Sequence, residues 1–406
     1  MGGFRHRLKP ETRLSPGGIP GQRPRPRRLL IALFLCALPL ASSALTALGD
    51  TGEAGPPMLK MTYGSRALAL GGAFVGVADD VYYIDANPGG GEATPVLKLS
   101  LLHQEWIEDV NYEAIRIGRG LGKHLYWGLG FTYLYLPFTY YNDYGAQTGS
   151  PVRISQALGT LNLGYQFRKL PLSMGVNLKA LYNTVPSSIL QARYGSDYED
   201  QNYLLYAGDA GLFLRTNLLK TYIGPEPSLM LGLALKNLGY SHAIDTLPTE
   251  LHAGVSYRLF WHLLLTAQFT YPLYEPLYGA AGLEFDIRKK LFLQAGVRIS
   301  DNPMLAVGFG YKFRDIELNV SYTPRIEFPN LFSVSLNFFF GETKTRRRNE
   351  RITSLLIEAL EHLEQGNYDE ADRAADQVLE LDPKNDLALS LKDTIESIKK
   401  VENNGK

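Results

Sequence analysis

The 406 residues contain a single cysteine, Cys36, so no disulfide framework can hold the chain together. An excess of charge is missing too. Lys and Arg total 41 and Asp and Glu total 41, which removes the global basic field that nucleic-acid binding requires. There is no long hydrophobic run. The most apolar stretch, Leu29 to Leu40, is about 12 residues, too short to cross a bilayer as a helix. No Gly-Lys-Ser or Gly-Lys-Thr follows the glycine-rich runs, so there is no phosphate loop. The seven His residues are scattered without a pair at ligand spacing, and neither a metal site nor a cofactor is expected. No defensible Ser/His/Asp arrangement is present, and the chain reads as a non-enzyme with no catalytic residues.

Glycine and tyrosine are plentiful. The 40 Gly, the 25 Tyr outnumbering 18 Phe, and the low 20% of charged residues fit β structure with interfacial aromatics. Residues 1–44 read as a signal peptide. Arg23, Arg25, Arg27 and Arg28 form a positive region, Leu29 to Leu40 is apolar, and Ala41-Ser42-Ser43-Ala44 supplies small residues for cleavage. Phe34-Leu35 before Cys36 are not the small residues of a lipoprotein signal.

From 96 to 340 the chain alternates apolar and polar residues. Leu251, Ala253, Val255, Tyr257 and Leu259 interleave with His252, Gly254, Ser256 and Arg258, and Ile316 to Tyr322 does the same. About fourteen such segments, mostly about 9–11 residues long, begin near Val96, Val110, His124, Arg153, Leu172, Leu204, Ser228, Glu250, His262, Leu277, Leu291, Met304, Ile316 and Leu331. The length suits a tilted membrane crossing, whereas soluble strands average about 5–6 residues. The pattern predicts a mainly β fold, an antiparallel transmembrane β-barrel of about 14 strands. An even count puts both barrel ends at the periplasmic face. Connections after odd strands should then be long, as Pro137 to Ser150, Pro186 to Asn202 and Gly239 to Thr249 are; Asn217 to Pro227 breaks the rule. Aromatics near segment ends, among them Tyr133, Tyr135, Tyr271, Tyr274 and Tyr278, suit the lipid–water boundary. Inward-facing His252, Arg258, Gln268, Glu284 and Asp286 either line a path or fill the barrel with hydrogen bonds.

Residues 45–95 do not share this pattern. Tyr63 to Glu92 carries Gly64, Gly71, Gly72 and Gly76, which permit positive φ and close backbone approach, the paired acids Asp79-Asp80, and the turn chemistry of Asn87-Pro88-Gly89. No third metal ligand stands near the acid pair, and adjacent side chains diverge in extended chain. The order Leu70-Gly71-Gly72-Ala73-Phe74, Ala78-Asp79-Asp80, Asn87-Pro88-Gly89-Gly90 resembles the N-terminal signature of FadL-type outer-membrane barrels and of the related PorV/PorQ group. Two positions depart from it: Gly89 stands for the usual Ala, and Ile84-Asp85-Ala86 for an aromatic pair. The resemblance implies a hatch folded into the barrel lumen, with Gly71, Gly72, Asp79, Asp80, Asn87, Pro88 and Gly89 as its hatch or gating residues. It also implies an outer-membrane protein, in contact with that membrane's lipid, that moves a hydrophobic small molecule such as a long-chain fatty acid. Its PorV-like alternative is a shuttle or scaffold for secreted proteins.

After the barrel, 341–351 reads as a basic linker, and 352–406 switches to a helical period. Leu355, Gly366, Tyr368, Ala371 and Pro383 resemble one tetratricopeptide repeat, with Leu355 where that pattern has Trp. One repeat is too few for independent stability, so this segment is expected to dock on the barrel rim, pair with another copy, or bind a periplasmic or secreted partner through 352–400.

Overall fold

The computed structural model describes residues 55–404 except 106–109, 142–143, 145–146, 186–200, 221, 223–225, 241–245, 301–302, 325–329, 342–343 and 384. The expected signal peptide 1–44, with Cys36, lies outside the described residues.

Fourteen antiparallel strands close into one barrel, each paired with its sequence neighbours and β1 with β14. They are β1 Leu97–Glu105, β2 Asn111–Leu121, β3 Leu125–Tyr141, β4 Gln147–Gln166, β5 Leu172–Val185, β6 Gln201–Thr216, β7 Leu229–Tyr240, β8 Glu250–Phe260, β9 Leu263–Pro272, β10 Tyr278–Ile287, β11 Leu291–Ile299, β12 Met304–Phe313, β13 Ile316–Thr323 and β14 Leu331–Phe340. Closure runs through Leu97 opposite Phe340 and Glu105 opposite Phe332. No sheet edge is left along the membrane-crossing part.

The alternation is turned inside out relative to a soluble sheet. On β8, Glu250, His252, Ser256 and Arg258 are buried inside while Val255 and Phe260 are exposed outside. Leu129, Phe131 and Leu178 stand out from β3 and β5 at 45%, 50% and 65% exposure, whereas Asn162, Asn177 and Asp209 are buried inside. An apolar exterior around a polar interior is the surface of a barrel solvated by lipid. Among the described residues no helix is long and apolar enough to cross a membrane.

The wall is uneven. Strands β3 to β6 are 17, 20, 14 and 16 residues long, beyond the expected lengths. The stretch from Pro137 to Ser150, expected to be a loop, is therefore mostly strand, and only 142–146 separates β3 from β4. Pro137 lies past the end of the β2 pairing, which stops at Tyr135, where β3 is paired on one side only, with β4.

The chain before β1 lies inside the barrel. It forms a 3-10 turn, Pro57–Lys60, two short helices, α1 (Ser65–Ala69) and α2 (Tyr83–Ala86), and a second 3-10 turn, Pro88–Gly90. Met58, Leu70, Phe74 and Ile84 are fully buried there. Gly55 N donates to the Thr246 carbonyl in the β7–β8 connection, and Lys60 pairs with Glu275 beyond β9. At the other end, the Thr94 carbonyl accepts from Gly120 N at the foot of β2. The segment thus runs the length of the lumen, from the mouth opposite the barrel termini down to β1.

Past β14, helices α3 (Lys344–Glu364), α4 (Tyr368–Leu381) and α5 (Asp386–Asn404) follow. The expected linker 341–351 is largely the first turns of α3, because Lys and Arg are good helix formers. Gly366 ends α3 at φ +77°, with Asn367 N bonded back to the His362 carbonyl. Ala359, Ala371, Ala374 and Ala375 pack on Leu391 and Ile395 of α5. Leu355, Leu356 and Val378 pack on Ala388. The third helix covers the surface that a lone helical hairpin would expose.

Candidate functional site

The lumenal segment has no ladder of its own, so its backbone groups need other partners. The wall supplies them. Thr266 Oγ1 donates to the Ala73 carbonyl at 2.7 Å and Ser256 Oγ to the Gly76 carbonyl at 2.7 Å. Asn177 Nδ2 donates to the Ile84 carbonyl at 2.7 Å, Tyr126 Oη to the Pro88 carbonyl at 3.0 Å, and Ser173 Oγ to the Gly89 carbonyl at 2.7 Å. Gln268 Oε1 accepts from the N–H groups of Phe74 and Val75 at 3.1 and 3.0 Å.

Glycines on both partners make this closeness geometrically available. A Cβ at Gly232 of β7 would lie 2.0 Å from the Val75 carbonyl oxygen, and one at Gly175 of β5 would lie 2.1 Å from the Pro88 oxygen. Gly76 keeps an ordinary φ; its need is for space, since a Cβ would meet the Gly254 carbonyl carbon at 2.7 Å. Gly71 and Gly72 do adopt positive φ, +70° and +86°, where the chain turns after α1.

Arg66 of α1 joins the acid pair to the wall. Its guanidinium grips Glu284 of β10 at 2.6 and 2.9 Å and Asp79 at 2.5 Å, and stands 3.7 Å from Asp80. Burial alone would raise the Asp79 carboxyl, but Arg66 outweighs it and holds the group below its ordinary range. Asp80 makes no such close contact: burial pushes it up to about 7, helped by the Asp79 charge and opposed by Arg66. A second bridge ties Asp85 to Arg116 of β2 at 2.7 and 2.9 Å. Asn87 is fully buried; Nδ2 donates to the Leu212 carbonyl at 3.0 Å and Oδ1 accepts from Gly89 N at 2.9 Å, capping the Pro88–Gly90 turn.

The inward candidates divide. Gln268 and Glu284 hold the lumenal segment. His252 instead bonds Glu250 at 2.9 Å, Arg258 faces the Trp261 carbonyl at 3.4 Å, and Asp286 pairs with Lys289 at 2.8 Å. Tyr278, expected at the lipid boundary, lies on the inward face of β10 under the Arg298 guanidinium, 5.4 Å from its ring centre. Sequence reading did not single out Arg66 or Arg116, which join the lumenal segment to the wall through Glu284 and Asp85, 218 and 31 positions away.

Nearer the far mouth the wall turns apolar. Leu158, Leu181 and Leu205 are direct neighbours across β4, β5 and β6, and Leu134 of β3 joins them. Met58 and Leu59 fill the space between, in one continuous cluster with these leucines. A polar floor and an apolar outer lining, packed around Met58 and Leu59, thus share one lumen.

The model of the uncharacterised protein family UPF0164 matches residues 50–342, the lumenal segment and the barrel together. The chain belongs to UPF0164. Members in Treponema pallidum (strain Nichols) include one 24% identical over 370 residues, spanning 71% of this chain and 88% of the relative. Another is 22% identical over 342 residues, spanning 77% and 69%. This UPF0164 chain is also similar in structure to the Pseudomonas putida toluene transporter TodX, at 12% identity over 72% of this chain and 98% of that one, TM-score 0.47. A Pseudomonas aeruginosa FadL homologue gives 10% identity over 69% and 99%, TM-score 0.44.

Proposed function

We propose that the protein is an outer-membrane channel for hydrophobic solutes, long-chain fatty acids and related acyl compounds among them, with the lumenal segment as its hatch. The observation that carries this reading is the apolar lining of the outer lumen. A lumen built only for water and ions has no use for Leu134, Leu158, Leu181 and Leu205 facing inward, whereas an acyl chain leaving the lipid or water does. Solute binding shifts the hatch only by its differential affinity for the seated and displaced states. Asn87, Pro88 and Gly89 hold the lower hatch, and Asp79 and Asp80 its link through Arg66 to the wall.

Entry of a fluorescent fatty acid into liposomes holding the refolded protein tests this, with and without Asn87→Ala/Pro88→Ala. Saturable entry that the variant changes is expected. Entry no faster than into empty liposomes, from a folded barrel, refutes the channel.

A second reading rests on the C-terminal helices. With both barrel termini at one end, they would stand in the periplasm as a repeat-like partner-binding unit, related in role to the PorV-like shuttles. Their favouring observation is a cleft of about 510 Å³ lined by Asn367, Tyr368, Asp369, Arg373 and Lys399. Removing 351–406 separates the readings: a channel keeps uptake, and a scaffold loses its protein partner.

A further inference from the structure

One row above the leucines, toward the far mouth, the lumen holds two amides. Gln156 of β4 and Asn183 of β5 face each other directly across the strands, flanked in register by Leu134 on one side and Tyr203 on the other. Both point inward, at 9% and 4% exposure. Their carbonyl oxygens, Gln156 Oε1 and Asn183 Oδ1, are buried and have no hydrogen-bond partner among the described residues. A buried amide left unbonded is costly, and leucine would fill the same place without that cost. Two of them side by side, over an apolar row, mark a place where a polar group arrives from outside.

The lysine below this row on β5 is already engaged. Lys179, one inward position below Leu181, is paired with Asp209 at 2.8 Å and bonded to Asn237 at 2.9 Å. Lys236 of β7 stands opposite Glu250 of β8 in register. Among the described residues the amide row therefore offers uncharged donors and acceptors, with no charged side chain in register beside it.

We infer that Gln156 and Asn183 form a head-group subsite above the apolar lining, and that among the hydrophobic solutes it favours an uncharged amphiphile with a hydrogen-bonding head, of the monoacylglycerol type, over a fatty-acid carboxylate. The acyl chain lies on Leu158, Leu181 and Leu205, in the space that Met58 and Leu59 occupy in this structure. This rests on the channel reading and specifies its solute.

The test is equilibrium dialysis of the full refolded chain in detergent against radiolabelled 1-monooleoylglycerol and, separately, oleate at pH 8, which share one acyl chain. Monooleoylglycerol is expected to bind about tenfold tighter or more. Gln156→Leu/Asn183→Leu is expected to lower its affinity about tenfold, the loss of one or two neutral hydrogen bonds, while leaving oleate unchanged. A merely structural pair predicts the reverse, since removing unbonded amides leaves binding alone and does not lower the unfolding temperature. Gln156→Met alone serves as a near-isosteric second variant, with a smaller loss in the same direction. Oleate binding as tightly as monooleoylglycerol, or variants that bind monooleoylglycerol normally, overturns the head-group assignment while the channel reading stands. Binding of neither lipid overturns both.

Discussion

The sharpest prediction comes from Gly232. Its missing Cβ would lie 2.0 Å from the Val75 carbonyl oxygen and 2.7 Å from the carbonyl carbon, both backbone atoms that cannot rotate away. Gly232→Ala therefore forces the hatch off β7 by roughly 1 Å or more, an overpacking that costs about 1–3 kcal/mol. The shift also breaks the bonds that meet at Val75, from Asn87 Nδ2 at 3.3 Å and to Gln268 at 3.0 Å, each contributing about 1 kcal/mol. The seated state should lose about 3–5 kcal/mol, which raises the displaced fraction about 10²- to 10⁴-fold. Amide hydrogen exchange over residues 73–77 reads this directly. The barrel provides its own control. A Cβ at Gly159 meets nothing nearer than the Ala180 oxygen at 3.9 Å, so Gly159→Ala should leave the hatch protected. The reasoning fails if Gly232→Ala exchanges like the parent over 73–77, or if β6, β7 and β8 lose protection equally.

Three further outcomes follow. Arg66→Met strips Glu284 and Asp79 of their cation and should destabilise hatch seating by about 3–5 kcal/mol, read as faster proteolysis within 64–91; an unchanged cleavage rate refutes the link. Asp80 binds its proton more tightly in the seated hatch, at about 7, than the ordinary carboxylate at about 3.9, so its contribution to seating is complete below about 4, is lost as pH rises to about 7, and is constant beyond. Exchange at 80–82, corrected for intrinsic rates, should rise between pH 5 and pH 8, and Asp80→Asn should flatten that rise. Leu391→Ala opens the contact of α5 with Ala371 and Ala375 and should cost the helical unit about 2–5 kcal/mol, seen as a lower helical melting temperature with an unchanged barrel transition.

The barrel was legible because lipid on one side and a polar lumen on the other impose period two wherever the strand lies in the membrane. Six of the expected strand starts, at Leu172, Glu250, Leu291, Met304, Ile316 and Leu331, are the observed ones. The reading was off where that constraint ends. β4 begins at Gln147, ahead of the expected Arg153, and β6 at Gln201, ahead of Leu204, because a strand that rises past the lipid no longer needs apolar residues outside. The hatch glycines were visible as a motif, but Gly175, Gly232 and Gly254, which receive them, look like ordinary strand residues. Nothing local marks a glycine whose neighbour is about ninety positions away or more. Arg66 was hidden for the same reason. Of the two freedoms expected of Gly76, positive φ and close approach, it uses only the second.

The distribution of bonds along the hatch says where opening would begin. From Ala73 to Gly90 the wall reaches nearly every turn, through Thr266, Ser256, Asn177, Tyr126, Ser173 and Arg215, and Phe74 and Ile84 are buried besides. From Gly55 to Lys60 the ties to the wall are those from Thr246, Asn237 and Glu275. Releasing that outer stretch costs about 3 kcal/mol of hydrogen bonding, within reach of one ligand's differential affinity, whereas lifting the whole segment costs several times more. Met58 and Leu59 also sit on the leucine row that an acyl chain would use, so solute and hatch tip compete for one surface. Opening as the channel reading requires would then start at the far mouth, with Arg66 and Glu284 holding the lower hatch until the tip has gone. Hydrogen exchange with saturating monooleoylglycerol distinguishes the orders. Loss of protection at 58–61 with 73–90 unchanged supports tip-first release; simultaneous loss across both stretches means the hatch moves as one body and the ledger of separate ties is wrong.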